Sequence, residues 1–389
     1  MMLTFGVPVF HAISFLLMAL LFGVVKLRQP YLRHAYALPD AGTHIEPINI
    51  EDPIVDFYIR LYAQNGATYN LRNYIKYVLN SITIIDGSDV LFSLDAEEIL
   101  ALDFYHYKES IEMGMDERPD VWQYTDFDIP LGLGRVDPTV AFDPTQFGNP
   151  QIVLDWNLAN INPVGATGFL ADSLHVDIMA DVIDKAPTRP SGYLMTKELY
   201  EWDTDPAGEE RVDLPVDYPY RTLFLRAHIH CCTPWAVITH TRHDCDEQKY
   251  IPFAIFNDDW MVWDKKWYGF WHQGYWFFCS AASTTWRDLN LRANLALAGG
   301  LVASNVATCE VSPSACQEAT IATPAGANMA VHVKADGSLP CSTFAWPYGD
   351  PDQKEEWLDI TEHKKSRLTC TQAVAHAVGQ VFLTQYRTY

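Results

Sequence analysis

Basic charge, cysteine and catalytic signatures are all scarce in this chain. Its 27 Lys and Arg stand against 49 Asp and Glu, a formal net charge of −22. Binding a polyanion needs clustered cations to neutralise phosphates, so no direct contact with nucleic acid is expected. Eight cysteines in 389 residues are too few to staple a small secreted scaffold. The absence of any Asn-X-Ser/Thr acceptor fits a chain that does not pass through a eukaryotic secretory pathway. There is no GxSxG elbow, no GxxxxGK[ST] phosphate loop and no HExxH pair, and Gly132 and Gly134 lack the third glycine of a dinucleotide site. Neither enzymatic activity nor a cofactor is expected. Asp203, Asp205, Glu209 and Glu210, like Asp258 and Asp259, lack the regular spacing of a calcium loop and read as solvated surface.

Apolar material is plentiful: 49% of residues are hydrophobic and 13% aromatic, enough for sizeable cores in two domains. Residues 5–25 carry no formal charge over 21 positions, and a helix of that length spans roughly 30 Å. Phe15, Leu16, Leu17, Leu20 and Leu21 form its centre, and Lys26, Arg28 and Arg33 follow as a cationic collar suited to lipid headgroups. The segment reads as a membrane-contacting helix or, alternatively, as an arm packed on the fold or on a neighbour. A cleaved signal fits less well, because no basic n-region precedes it.

The remainder reads as short extended runs separated by turn chemistry. Ile82, Ile84 and Ile85 enter an Asp86-Gly87 reversal and Val90, Leu91 and Phe92 return, a hairpin signal. Asp95, Glu97 and Glu98 then supply a cap and first-turn acids for a helix through Phe104. A proline-bracketed stretch at 187–190 reads as a linker. Beyond it, strands at 193–202, 209–214, 223–229, 236–241 and 250–256 repeat the earlier element order, again with a helical segment after a hairpin. Strand-like runs at 173–184 and 373–384 close the two halves. The divisions expected are 1–37, an apolar N-terminal segment; 38–188, a first β-sandwich; and 189–389, a second.

Seven of the twelve tryptophans lie between Trp235 and Trp286. Trp260, Trp263, Trp267 and Trp271 recur at spacings that place them along one helical face, as a core stripe or a subunit interface. His228, His230, Cys231, Cys232, His240, His243 and Cys245 form the densest group of soft ligands. Alternation would bring His228 and His230 to one side and a returning strand could add His243 and Cys245, as a zinc site requires; a disulfide or ordinary core and loop residues are the competing readings. Cys309 and Cys316 could close a short loop, although a reducing cytoplasm disfavours it.

The hairpin and helix at 81–107, the block FDIPLGLGRVDPTVAFDPTQFGNPQIVLDWNLANI at 127–161 and the stretch at 191–227 resemble double jelly-roll major capsid proteins of tailless, membrane-containing bacterial viruses. The resemblance implies an all-β chain of two tandem eight-stranded jelly-roll sandwiches with short helices, preceded by the apolar N-terminal helix. It further implies a homotrimer forming a pseudo-hexagonal capsomer, contacts with neighbouring capsomers and other virion proteins, and a place in the virion after assembly in the host cytoplasm. The apolar segment would then face an internal membrane. The rival readings are a membrane-anchored carbohydrate-binding or carbohydrate-active β-sandwich and a minor capsid or spike protein.

Overall fold

The computed structural model describes residues 26–110, 113–135, 137–186, 188–230, 232–279, 285–288, 292–293, 298–300, 308–311, 318–322 and 329–389. A short strand β1 (Lys26–Arg28) precedes β2 (Tyr31–Ala37), β3 (Ala41–Pro47), β4 (Ile54–Gln64), β5 (Leu79–Asp86) and β6 (Asp89–Leu94). Helix α1 (Ala96–Tyr107) follows directly, then β7 (Met113–Asp116), β8 (Trp122–Pro130), β9 (Pro150–Asn157) and β10 (His175–Asp184). Eight of these strands pair in sheet orders β2-β10-β4-β8 and β3-β9-β5-β6. Counted along the chain that is 1-8-3-6 in one sheet and 2-7-4-5 in the other, the wrap of a jelly roll.

The same order recurs. Strands β11 (Gly192–Asp203), β12 (Gly208–Leu214), β13 (Tyr220–His228), β14 (Ile238–Cys245) and β15 (Tyr250–Phe256) lead into helix α2 (Asn257–Tyr268). After an insertion come β23 (Thr343–Pro347), β24 (Ser366–Gln372) and β25 (Val378–Thr388). Their pairings, β11-β25-β13-β23 and β12-β24-β14-β15, repeat the 1-8-3-6 and 2-7-4-5 pattern. Each roll carries a twelve-residue helix directly after its fifth strand.

Alternation drives the sandwich. Ile152, Leu154 and Trp156 of β9, and Val176, Ile178, Ala180 and Val182 of β10, point inward and are buried. Helix α1 begins where expected: Asp95 accepts from Glu98 N–H while Glu98 reaches back to Asp95 N–H, a complete capping box. Gly379 permits a close crossing, since a Cβ there would lie 2.4 Å from the Trp202 ring on the paired strand. The rolls are not separate beads. A parallel bridge between Ser93 of β6 and Lys197 of β11 joins one sheet of each into a single eight-stranded sheet.

Two boundaries differ from the sequence reading, and one insertion is added to it. The opening strand of the first roll, β2, lies inside the 1–37 segment, because pairing with β10 rather than hydropathy sets its limits. The final strand starts at Val378 rather than near residue 373, and Thr204 ties down the loop before it through Val374 and His376. The insertion between α2 and β23 adds β16 (Trp271–Cys279), β17 (Thr285–Asp288), β18 (Arg292–Ala293), β19 (Ala298–Gly300), β20 (Thr308–Val311), β21 (Glu318–Ala322) and β22 (Met329–Ser338). Of these, β16 runs parallel beside β7, so the second roll's insertion extends the first roll's sheet.

Candidate assembly surface

Helix α2 and strand β15 together expose several large apolar side chains. The helix starts at Asn257, whose side chain donates to Ile238 O at 2.7 Å. Asp258 and Asp259 occupy its first turn and Lys265 and Lys266 its last, matching the helix dipole. Gly269, at φ +83°, ends it. Asn257, Asp264 and Tyr268 face inward, while Val262, Trp263 and Trp267 are 62%, 49% and 47% exposed. Strand β15 is a sheet edge, and its Tyr250, Ile251 and Phe256 are exposed beside the helix. Pro252 interrupts that edge, which disfavours indiscriminate strand addition.

The four tryptophans therefore do not share one helical face. Trp260 turns inward, donating from Nε1 to Ala345 O at 3.0 Å and stacking near Trp346. Trp263 and Trp267 turn outward. Trp271 lies beyond the helix stop, on β16, buried against the edge of Phe104 with ring centroids 5.5 Å apart. Lys266 sits 4.8 Å over the Trp263 ring and Lys265 4.5 Å over Phe270, so aromatic faces on this wall already hold cations. Beside the ridge opens a groove of about 730 Å³, lined by Tyr250, Phe253, Trp260, Trp346, Tyr348 and Trp357.

The histidine and cysteine group does not converge. β13 and β14 lie in different sheets of the second roll, so alternation along them cannot bring His228 to His243. His228 Nδ1 meets Ser342 Oγ at 3.0 Å. Buried His243 is held by Tyr348 OH at 2.8 Å and Ser366 Oγ at 2.8 Å, with Cys245 Sγ 3.6 Å away. Burial first, and then the neighbouring His363, push its pKa down to about 3. It is a neutral core residue at ordinary pH. Cys245, Cys341 and Cys370 are buried free thiols. His230 and Cys232 fall in the loop after β13, and the His228, His230, Cys232, His243 and Cys245 set forms no ligand cluster among the described residues. Cys316 and the Cys309 side chain lie outside them.

Of the residues expected to touch lipid, Phe15, Leu16, Leu17, Leu20 and Leu21 lie outside the described residues. Lys26 and Arg28 belong to β1, opposite Asp184 and Val182, and Arg28 donates to Asp52 at 2.7 Å. Among the described residues no helix is long and apolar enough to cross a membrane.

Little in the chain's local pattern foretells the polar knot that locks the rolls together. Arg226 on β13 bonds Glu97 of α1, the Gln380 side chain at 2.7 Å and Cys341 O at 3.1 Å. Lys76 approaches Glu97 at 3.2 Å, and Gln380 donates to Asp95 at 2.9 Å. Burial would raise the Glu97 pKa, but the charges of Arg226 and Lys76 outweigh it and hold the carboxyl at about 2. Asp89 and Arg387 form a second bridge between the rolls. An arginine in the otherwise apolar run Leu223–Ala227 is the one signal that points to it.

Two complete jelly rolls sharing a continuous sheet define a double jelly-roll fold. No family model matches the chain, and no curated protein matches it. Solved structures do. The STIV (Sulfolobus turreted icosahedral virus) major capsid protein aligns with a TM-score of 0.55 and 10% identity, covering 93% of this chain and 97% of that one. The PBCV-1 virus capsid gives 0.55 and 8%, with 93% and 94% covered. The major capsid protein of bacteriophage PM2 gives 0.50 and 10%, with 93% and 98% covered. At these identities the likeness is one of fold. Because that fold spans a Sulfolobus virus and a bacteriophage, it carries no host assignment.

Proposed function

We propose that this chain is the major capsid subunit of an icosahedral virus, a homotrimer whose pseudo-hexagonal outline tiles the shell over an internal membrane. The observation that carries the reading is the complete pair of jelly rolls fused edge to edge, matched over nearly the whole length of several viral capsid proteins. Such a body offers broad flat walls for lateral contact. The Trp263–Trp267 ridge beside an aromatic groove suits heterologous, head-to-tail association, which closes into a ring when the rotation permits. Residues 5–25 then supply the lipid contact. Light scattering on the purified full chain is the test: a trimer, with shell-like particles on co-expression, supports the reading, and a stable monomer at high concentration refutes it.

A second reading, carbohydrate binding, draws on the same groove, where Glu356 and Glu362 accompany the stacked rings. Glycan-array binding by the monomer that is lost on Trp357→Ala would favour it over assembly.

A further inference from the structure

A trough floored by glycine runs along the outer face of the sheet where the second roll's insertion joins the first roll. Strands β7 and β16 pair there in parallel, Tyr275 beside Met115 and Trp276 beside Asp116, so Gly274 and Gly114, one residue back on each strand, fall side by side. Met115 and Tyr275 are buried in the core, which turns the two glycines to the opposite face. On one flank Tyr124 of β8 is paired with Gly114, and a Cβ on that glycine would lie 2.4 Å from its ring. On the other flank His332 of β22 is paired with Trp276, and a Cβ on Gly274 would lie 3.2 Å from its Nε2. Glycine inside a strand marks a bulge or a close approach, and no bulge interrupts these pairings. Both rings therefore lie low against the sheet and leave space above them.

That space is a cavity of about 500 Å³, walled by Trp122 and Tyr124 on one side and Trp276 on the other, with His272 towards one end and Asp116 towards the other. The run from His272 to Trp276 spans about 13 Å at a rise of about 3.3 Å per residue. Trp122 is 45% exposed. It meets Tyr62 at a tilt and His175 edge-on, both with centroids 5.9 Å away, so neither ring stacks parallel on it. Trp276 is fixed by Arg118, 4.2 Å over its ring, and Arg118 is in turn tied to Asp116 at 2.6 Å. That bond compensates the one carboxylate in the lining, and no Lys or Arg is found among the described residues around the cavity. In a chain of net charge −22, the trough is thus an aromatic and polar surface without an uncompensated carboxylate.

The lining selects among ligand classes. A phosphate-bearing ligand needs clustered cations, which the trough lacks. A peptide added as a strand needs a free edge, whereas β7 is flanked by β8 and β16, and β16 by β7 and β22. An acyl chain calls for walls that are apolar throughout, and Asp116, His272 and Gln273 interrupt these. A sugar suits the trough, because its C–H face packs on an aromatic ring while the hydroxyls at its rim seek polar groups. We propose that this trough binds a neutral oligosaccharide, with one sugar ring stacked on Trp122, the next along the glycine floor, and hydroxyls meeting Asp116 and His272. It shares no lining residue with the groove beside α2, and it stands whether or not the chain builds a shell.

The full chain applied to an array of neutral, sialylated and sulfated oligosaccharides provides the test. Retention of neutral glycans is expected, and it should persist at about 0.5 M salt, where exposed charges are screened. The best-retained neutral oligosaccharide should then bind roughly tenfold more weakly to Trp122→Ala and nearly normally to Trp122→Tyr, with circular dichroism unchanged in both. It should also shield Trp122 from oxidation by N-bromosuccinimide, read by peptide mass spectrometry, while exposed Trp263 and Trp267 stay reactive, a measurement that needs no variant. An array that retains no glycan overturns the proposal, as does retention of charged glycans alone. So does an oligosaccharide that leaves Trp122 unshielded and binds Trp122→Ala normally. Loss of binding in Trp357→Ala while Trp122→Ala binds normally would move the glycan to the groove beside α2 and equally overturn it.

Discussion

Replacing Arg226 by Met tests whether the inter-roll knot holds the two sandwiches together. The side chain is 6% exposed, and removing it strands the Gln380 amide oxygen, Cys341 O and one oxygen of Glu97. Breaking a buried pair by deleting one partner costs about 3–5 kcal/mol, and since Lys76 still faces Glu97 the lower end is expected. The pKa gives a consistent figure. Glu97 drops from an ordinary 4.5 to about 2, and at about 1.4 kcal/mol per pH unit this corresponds to roughly 3 kcal/mol. The sign follows from proton linkage. A carboxyl depressed in the fold contributes fully above its unfolded value near 4.5, and the contribution is lost progressively as pH falls through about 2. Urea unfolding followed by tryptophan fluorescence from pH 7 to pH 3 should give a wild-type advantage over Arg226→Met that is flat above pH 5 and shrinks below it. A cycle with Glu97→Gln should show a coupling of about 1–3 kcal/mol. Additive single effects, or a cost below about 1 kcal/mol, would refute the knot as an energetic lock.

On the outer wall, Trp263→Glu with Trp267→Glu should leave circular dichroism unchanged, because both rings are about half exposed, yet shift light scattering from trimer to monomer; a trimer that persists would place the interface elsewhere. Asp128, raised to about 7 by burial and then by Asp126, keeps its proton in the fold while the unfolded chain releases it near 3.8, so stability is full at low pH and declines as pH rises through about 7. Asp128→Asn should thus stabilise the protein at pH 8 by up to about 4 kcal/mol and do little at pH 4; equal effects at both would contradict this. Leu17→Asp with Leu21→Asp should abolish flotation with liposomes while the sandwiches stay folded, since each charge costs about 2.5–3.5 kcal/mol at a helix centre. Undiminished flotation would remove residues 5–25 from the lipid contact.

What could be read from sequence divides by the range of the interaction that decides it. The Ile82–Phe92 hairpin, the Asp95 cap of α1 and strand Tyr250–Phe256 were legible because turn chemistry, caps and alternation act within a few residues. Helix α2 was legible as a helix but not in its end: spacing alone carries the stripe on to Trp271, whereas Gly269 breaks the helix and hands Trp271 to the neighbouring roll's sheet. The competing readings of the histidine group stayed open in the sequence for a related reason, since proximity in sequence says nothing about which of two sheets receives each strand.

The polar devices are the extreme case. Glu97 and Arg226 lie 129 residues apart, Asp89 and Arg387 298 apart, and Asp56 meets Asp128 only through the register of β4 against β8. Only weak local traces foretell them, an arginine in an apolar strand and two aspartates at i and i+2. In a jelly roll the first strand pairs with the last, so charges placed on it find partners only when the whole wrap is complete. Arg226 reaches Gln380 and Cys341 O within its own roll and Glu97 reaches Lys76 within the other, but the Arg226–Glu97 bond itself forms only when the two rolls meet. That bond therefore rewards correct docking of the rolls, a selectivity that a pair of apolar residues at the same seam would not supply.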